Sequence, residues 1–241
     1  MSGIATALKQ VRHRIATACA DAGRDPAGVR LLAVSKTFAA STLCEAHAAG
    51  QCAFGENYVQ EGVTKMAALA GLRDQIQWHC IGPLQSNKTR LVAEQFDWVH
   101  SLDRLKTAQR LSAQRPAQLP PLQVCLQVNV DAGANKSGAT PDEALALARE
   151  VAALPRLALR GLMAIPEPAP DFQTQRGLFL RATCLYEQIR AEGIALDTLS
   201  MGMSDDLEAA ISAGATMVRI GRAIFGARTP ASASALITPI L

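Results

Sequence analysis

Eight short β-rich runs, separated by segments of helical period, constrain this 241-residue chain more than any other feature. They lie at residues 29–35, 52–55, 76–82, 98–102, 122–130, 157–165, 196–201 and 216–220. Several are continuous apolar runs, as expected of strands covered on both faces of a parallel sheet. The intervening segments carry helix start signals. Thr140, Pro141 and Glu143 form a capping box with proline at the first helical position. Ser204 is expected to cap a helix over 205–213, with Asp205 and Asp206 at its positive end. Asp103 and Ser86 are expected to cap helices at 105–111 and 87–95, and a further helix over 4–22 precedes the first strand. Eight strand–helix alternations fit a closed (β/α)8 barrel, which typically takes about 250 residues. The alternative is an open doubly wound sheet, but no G-x-G-x-x-G follows the first run and no Walker sequence occurs. The expected organisation is α/β: one barrel domain over 1–241, core 29–228, with an extra N-terminal helix.

Composition narrows the function classes. Apolar residues make up 49% and charged residues 19%, an ordinary globular mixture that excludes a disordered or collagen-like chain. The formal charge of +3 comes with no dense Lys/Arg stripe, so neither nucleic acid nor an anionic membrane is an expected partner. The six cysteines form no C-x-x-C pair and sit in apolar or helical stretches, which reads as reduced core thiols. No apolar run approaches the ~20 residues of a membrane span, and the N-terminus lacks an apolar leader. A soluble, cytoplasmic protein is expected.

In a barrel of this kind the chemistry sits at the C-terminal ends of the strands. The first strand ends in Ser35-Lys36-Thr37. A lysine there is either an exposed strand end or, with its pKa lowered by burial, an amine able to condense with an aldehyde. Glu56 and Asn57 follow the second strand as a polar cluster or as simple caps. His79 and His100 lie in apolar strands and read more readily as hydrogen-bonded core residues than as functional groups. No H-E-x-x-H and no Cys/His cluster at ligand spacing occurs, so no metal is expected. The last two strand ends are more telling. Ser200-Met201-Gly202-Met203-Ser204 and Arg219-Ile220-Gly221-Arg222 fall where barrels often bind phosphate, through backbone N–H groups and a helix start. Gly202 and Gly221 allow close backbone approach, and Ser200, Ser204 and Arg222 add donors. A lysine plus a phosphate cradle suits pyridoxal 5′-phosphate, which carries an aldehyde and a phosphate.

At this point the motifs themselves are informative. AVSKT (33–37), FGENYVQE (54–61), WHCIGPLQSNK (78–88), NKSG (135–138), GLMAIP (161–166), SMGMS with Asp206 (200–206) and VRIGRAIFG (218–226) resemble, in order, those of the pyridoxal phosphate homeostasis protein family. The resemblance implies a barrel like the N-terminal domain of alanine racemase. It implies that Lys36 is the Schiff-base lysine and that Asn57 lines the ring pocket. It further implies that Ser200, Gly202, Met203 and Gly221 surround the phosphate, and that Arg219 faces the pyridine nitrogen. His79, Lys136 and Met163 match positions lining the barrel mouth. Two departures are Cys80, where relatives usually carry an aromatic, and Arg222, where Thr or Ser is common.

Arg219 bears on the chemistry, because a guanidinium cannot take up the ring proton and so favours a weaker electron sink. Two-base racemisation also needs a second acid/base, which alanine racemase supplies as a tyrosine from a second domain of the partner subunit. This sequence holds Tyr58 and Tyr186 and, within 241 residues, no room for that domain. The expectation is a monomeric, non-catalytic carrier or buffer of pyridoxal phosphate, with apo pyridoxal-phosphate enzymes as possible recipients. The alternatives are an amino-acid racemase and a phosphosugar enzyme on the same barrel.

Overall fold

The computed structural model describes residues 3–131 and 137–227. The strands β1 (Arg30–Val34), β2 (Ala53–Glu56), β3 (Gln77–Cys80), β4 (Trp98–Leu102), β5 (Leu122–Val128), β6 (Leu157–Ala164), β7 (Thr198–Ser200) and β8 (Met217–Ile220) pair in sequence order. All pairings are parallel, and β8 returns to β1 through the register Arg30↔Met217 to Ala33↔Ile220, closing the barrel. The doubly wound alternative is thereby excluded. Each strand is followed by a helix: α2 (Ala40–Ala48), α3 (Val59–Ala68), α4 (Thr89–Gln95), α5 (Leu105–Gln114), α6 (Pro141–Ala152), α7 (Phe172–Ala191), α8 (Leu207–Ser212) and α9 (Arg222–Phe225).

The extra helix α1 (Gly3–Asp21) buries Leu8, Val11, Ile15, Ala18 and Cys19, a stripe at helical spacing. It packs on α8, α9 and α2. Because α9 is a single turn, α1 supplies the outer wall that a full-length last helix would otherwise provide. Arg14 anchors it through paired bonds to Glu208, and Arg12 through the Ala49 and Gly50 carbonyls.

Strand alternation divides the buried residues into two cores. Outward side chains such as Phe54, Trp78, Val99 and Leu126 join the helices in one continuous annulus. Inside the barrel Trp98, Cys125 and Met163 form a separate apolar cluster. The guanidinium groups of Arg30 and Arg160 lie 5.5 and 5.6 Å from the Trp98 ring, and Arg160 pairs with Asp197. Arg30 and Trp98 open β1 and β4, so their contact closes the N-terminal end of the barrel.

The capping box forms as read: Thr140 Oγ1 accepts from the Glu143 N–H, and Glu143 accepts from the Thr140 N–H. Three other caps differ from expectation. Arg104, not Asp103, occupies the N-cap of α5. Ser86 lies within a 3₁₀ turn (Ser86–Lys88) that leads into α4, and its carbonyl accepts from Thr89 Oγ1. Helix α8 starts two residues later than expected, because Asp206 folds back to accept the Met203 N–H at 2.5 Å. Ser204 is left facing the Ala223 N–H of α9.

Candidate functional site

A cleft of about 400 Å³ opens at the C-terminal end of the barrel. Its lining includes Lys36, Asn57, Ile165, Met203, Arg219 and Gly221, drawn from the ends of five different strands. An adjoining cleft of about 380 Å³ shares Val34, Lys36, Gly221 and Arg222, and includes Phe38, whose ring meets that of Phe225 at 5.1 Å. Both volumes suit a small cofactor. Tyr58, Ile165, Phe172 and Met203 are the large apolar side chains left exposed among the described residues. Ile165 and Met203 line the cleft, and Tyr58 and Phe172 stand at the starts of α3 and α7.

Alternation explains how the polar groups reach this cleft. In β1 the set Leu32, Val34, Lys36 points inward; in β2 it is Ala53, Gly55, Asn57; in β8 it is Met217, Arg219, Gly221. A side-chain carbon at Gly55 would touch Leu32 and Ile81, which places it inside the barrel. Asn57 is further set by Gly82, whose backbone packs so closely that any Cβ there would lie 2.1 Å from the Asn57 carbonyl oxygen. Gly202 has φ +92°, a left-handed turn that lets β7 end abruptly at the mouth.

Arg219 is 4% exposed and donates to the Ser200 carbonyl (2.6 Å), Ser200 Oγ (2.9 Å) and the Ala164 carbonyl (3.0 Å). Burial lowers its pKa to about 10, with Asp206 pulling it back, so it remains a cation at neutral pH. Ser200 Oγ lies 2.9 Å from His100 Nδ1, and His100 Nε2 lies 2.9 Å from His79 Nδ1. Since Arg219 occupies Ser200 Oγ as a donor, the hydroxyl proton is left to donate to His100 Nδ1. His100 then donates from Nε2 to His79 Nδ1. Every donor points away from the cation. His79 stacks on Trp98, and burial drives its pKa down to about 3; His100 is likewise held well below the usual histidine value by burial, reinforced by His79 and Arg219. Both rings are therefore neutral.

A second polar network lies outside the strands, beneath α3. Lys65 Nζ donates to Glu56 Oε1, Glu61 Oε1 and the Ser35 carbonyl, each at 2.7 Å. Ser35 Oγ donates to Glu56 Oε1, and the Thr37 N–H donates to Glu61 Oε1, both at 2.5 Å. Burial raises the Glu56 carboxyl, and Lys65 and Ser35 oppose that rise.

The sequence matches the alanine racemase N-terminal domain model over residues 7–229. It is 60% identical to the pyridoxal phosphate homeostasis protein of Pseudomonas aeruginosa, across 95% of this chain and 97% of that one. The chain belongs to the pyridoxal phosphate homeostasis protein family. The Escherichia coli member is 54% identical over 95% of this chain and 98% of its own. Among solved structures, PipY of Synechococcus elongatus superposes with a TM-score of 0.82 at 37% identity without PLP, and 0.81 at 36% with PLP bound. Both matches cover 92% of this chain and the whole of PipY. Alanine racemase of Corynebacterium glutamicum shares the fold at a TM-score of 0.64 and 16% identity, with the match covering 92% of this chain and 61% of the racemase.

Within this family member the expected site residues separate by depth. Lys36, Asn57, Met203, Arg219 and Gly221 come together on the cleft, and Gly202 adjoins it. Ser200 lies under Arg219, His79 lies deeper, and Met163 packs with Trp98 and Cys125 in the interior. Lys136 falls outside the described residues. Arg222 lies at the exposed edge of both clefts, paired with Asp205 at 2.5 Å. Among the described residues no cluster of His, Cys, Asp or Glu has metal-binding geometry, and no helix is long and apolar enough to cross a membrane. Sequence reading missed the Glu56–Lys65–Glu61 network. The i,i+4 spacing of Glu61 and Lys65 was its visible trace, but such pairs usually lie on solvated faces.

Proposed function

We propose that this protein binds pyridoxal 5′-phosphate at the barrel mouth and serves in homeostasis of the cofactor rather than in catalysis. The carrying observation is that Lys36 and Arg219, a cation at neutral pH, line one cleft. When bound, pyridoxal 5′-phosphate supplies an aldehyde and a phosphate dianion. The residues present fit both: Lys36 is the amine for the aldehyde, and Gly202, Met203 and Gly221 frame the phosphate side. Asn57 and Ile165, on the same cleft, would flank the ring. Ser200, His79 and Met163 act from below, Ser200 by fixing Arg219, and His79 and Met163 by filling the floor. Arg219 would face the ring nitrogen as a donor and hold it unprotonated. The family names and the PLP-bound structure of PipY support this reading.

Among the described residues, the other acid/base groups that line the cleft with Lys36 are Asp205 and Asp206, and these are taken up by Arg222 and by the Met203 N–H. Tyr186 lies in the helical layer under Arg190, and His79 is buried and neutral. Six unpaired cysteines support a reducing, cytoplasmic setting, although only Cys19, Cys80 and Cys125 are the core thiols expected and Cys44, Cys52 and Cys184 are exposed. Two of the four exposed large apolar residues among those described, Ile165 and Met203, line the cleft, which supports a mouth that meets recipient apoenzymes while the chain stays a monomer.

The test is an absorbance spectrum and borohydride trapping of protein loaded with pyridoxal 5′-phosphate, compared with Lys36→Ala. The visible band and the trapped mass at residue 36 are expected in the first and absent in the second. An unchanged spectrum in Lys36→Ala overturns the site, and Lys36-dependent interconversion of D- and L-amino acids overturns the non-catalytic role.

A further inference from the structure

We propose that the buried Glu56–Lys65–Glu61 cluster holds the Lys36 amine at the barrel mouth, with Glu61 as the positioning residue. The inference rests on the reading of Lys36 as the cofactor lysine. It starts from where the cluster spends its hydrogen bonds. Ser35 and Thr37 flank Lys36, and the cluster grips both. Lys65 holds the Ser35 carbonyl, Glu56 holds the Ser35 hydroxyl, and Glu61 holds the Thr37 N–H.

Thr37 is where the grip matters most. Its φ is +71°, the left-handed region that a β-branched residue avoids. That conformation persists only where surrounding contacts over-determine it. The Glu61 carboxylate is such a contact, since it accepts the Thr37 N–H from a helix that cannot move freely. Without it, Thr37 is free to return to negative φ and swing Lys36 off the cleft.

The arrangement is also hard to explain as a stability device. A buried ion cluster gains little over apolar residues of equal volume. This one buries two carboxylates and one ammonium, with Glu56 fully buried and Lys65 and Glu61 nearly so. Helix α3 places Glu61 and Lys65 four residues apart, so one face delivers both groups under the same turn. Lys65 Nζ donates to Glu61 Oε1, the same oxygen that accepts the Thr37 amide, and so holds that carboxylate in place.

The experiment compares wild type, Glu61→Ala, Glu61→Gln and Glu61→Ala with Thr37→Gly. The first readout needs no cofactor: pulse acylation of the free protein, with Lys36 labelling measured by mass spectrometry against the exposed Lys9 and Lys106. In Glu61→Ala the Lys36 ratio is expected to move to that of an exposed lysine. The second readout is the rate of covalent pyridoxal 5′-phosphate capture, expected to fall about 10- to 100-fold in Glu61→Ala. Affinity for pyridoxine 5′-phosphate, which lacks the aldehyde, should stay within about twofold. Glu61→Gln retains a neutral acceptor and should fall between, which keeps the proposal testable if Glu61→Ala folds poorly. Thr37→Gly should restore both readouts, because glycine adopts positive φ unaided. Wild-type labelling and capture in Glu61→Ala or Glu61→Gln, or no rescue by Thr37→Gly, overturns the proposal. If wild type captures no cofactor at Lys36, the cofactor reading falls instead, and the labelling ratios still decide the positioning.

Discussion

Two buried polar networks meet at the same cleft and are built on opposite electrostatic plans. On the β1–β2 side, beneath α3, acidic and basic side chains pair directly, with Lys65 bridging Glu56 and Glu61. On the β7–β8 side, inside the barrel, one cation is followed by neutral groups: Arg219, Ser200, His100 and His79. The first network keeps charge against charge and acts on backbone. The second spreads one charge along a line of neutral dipoles and acts on a side chain. A backbone turn in a disfavoured conformation needs strong, short-range acceptors, whereas a guanidinium needs only matched acceptors and no competing cation.

The difference is open to attack, starting where the effect should be greatest. Lys65→Met strands two buried carboxylates without a cation and should cost about 3–5 kcal/mol in urea denaturation. A loss below ~1 kcal/mol would mean that Glu56 is already protonated. Ser200→Ala leaves His100 Nδ1 without a donor and frees an Arg219 N–H, for a smaller loss of about 1–3 kcal/mol. Reverse effects, with Ser200 the costlier, would invert the comparison.

Acid should act on the neutral network first. The folded-state pKa of His79, about 3, lies below its unfolded value of 6.5, so the unfolded chain binds more protons between the two. Its contribution is fully present above pH 6.5 and is lost as pH falls toward 3. At pH 5.5 His79 alone should cost about 1.4 kcal/mol, with His100 adding in the same direction. Glu56 has the opposite sign: its carboxyl is raised, so its term is present at low pH and lost as pH rises through the folded value. Unfolding free energies measured from pH 7 to 5, with His79→Gln as reference, separate the two. The smallest effect is expected outside both networks. Arg222 and Asp205 are 67% and 75% exposed, and Arg222→Ala should change stability by less than about 0.5 kcal/mol.

Much of this molecule was legible from residue order. Every expected strand appears within a few residues, including the weakest, at 53–56, because each buried parallel strand is a short apolar run closed by a turn. The cleft residues were legible too, since period-2 alternation carries Lys36, Asn57, Arg219 and Gly221 to the inner face. Helix starts were less so. Ser204 and Asp103 had the right chemistry for caps, but the Asp206 carboxylate took the Met203 N–H and delayed α8, and the N-cap of α5 fell one residue beyond Asp103, on Arg104. Cap chemistry is local, and which nearby oxygen wins depends on how the loop packs.

Strand order, barrel closure and the inward placement of the lysine and arginine follow from the sequence by itself, because periodicity and run length act on neighbours in the chain. Depth and pairing were decided only in three dimensions. Nothing in the local pattern distinguishes Ser200 under Arg219 from a serine at the surface. Nor does it tell Glu61 beside Thr37 from a solvated helix carboxylate. Those contacts join residues 19 and 24 positions apart. Their partners meet only once the barrel has closed and α3 has docked, and the charge each can keep depends on the burial that docking creates.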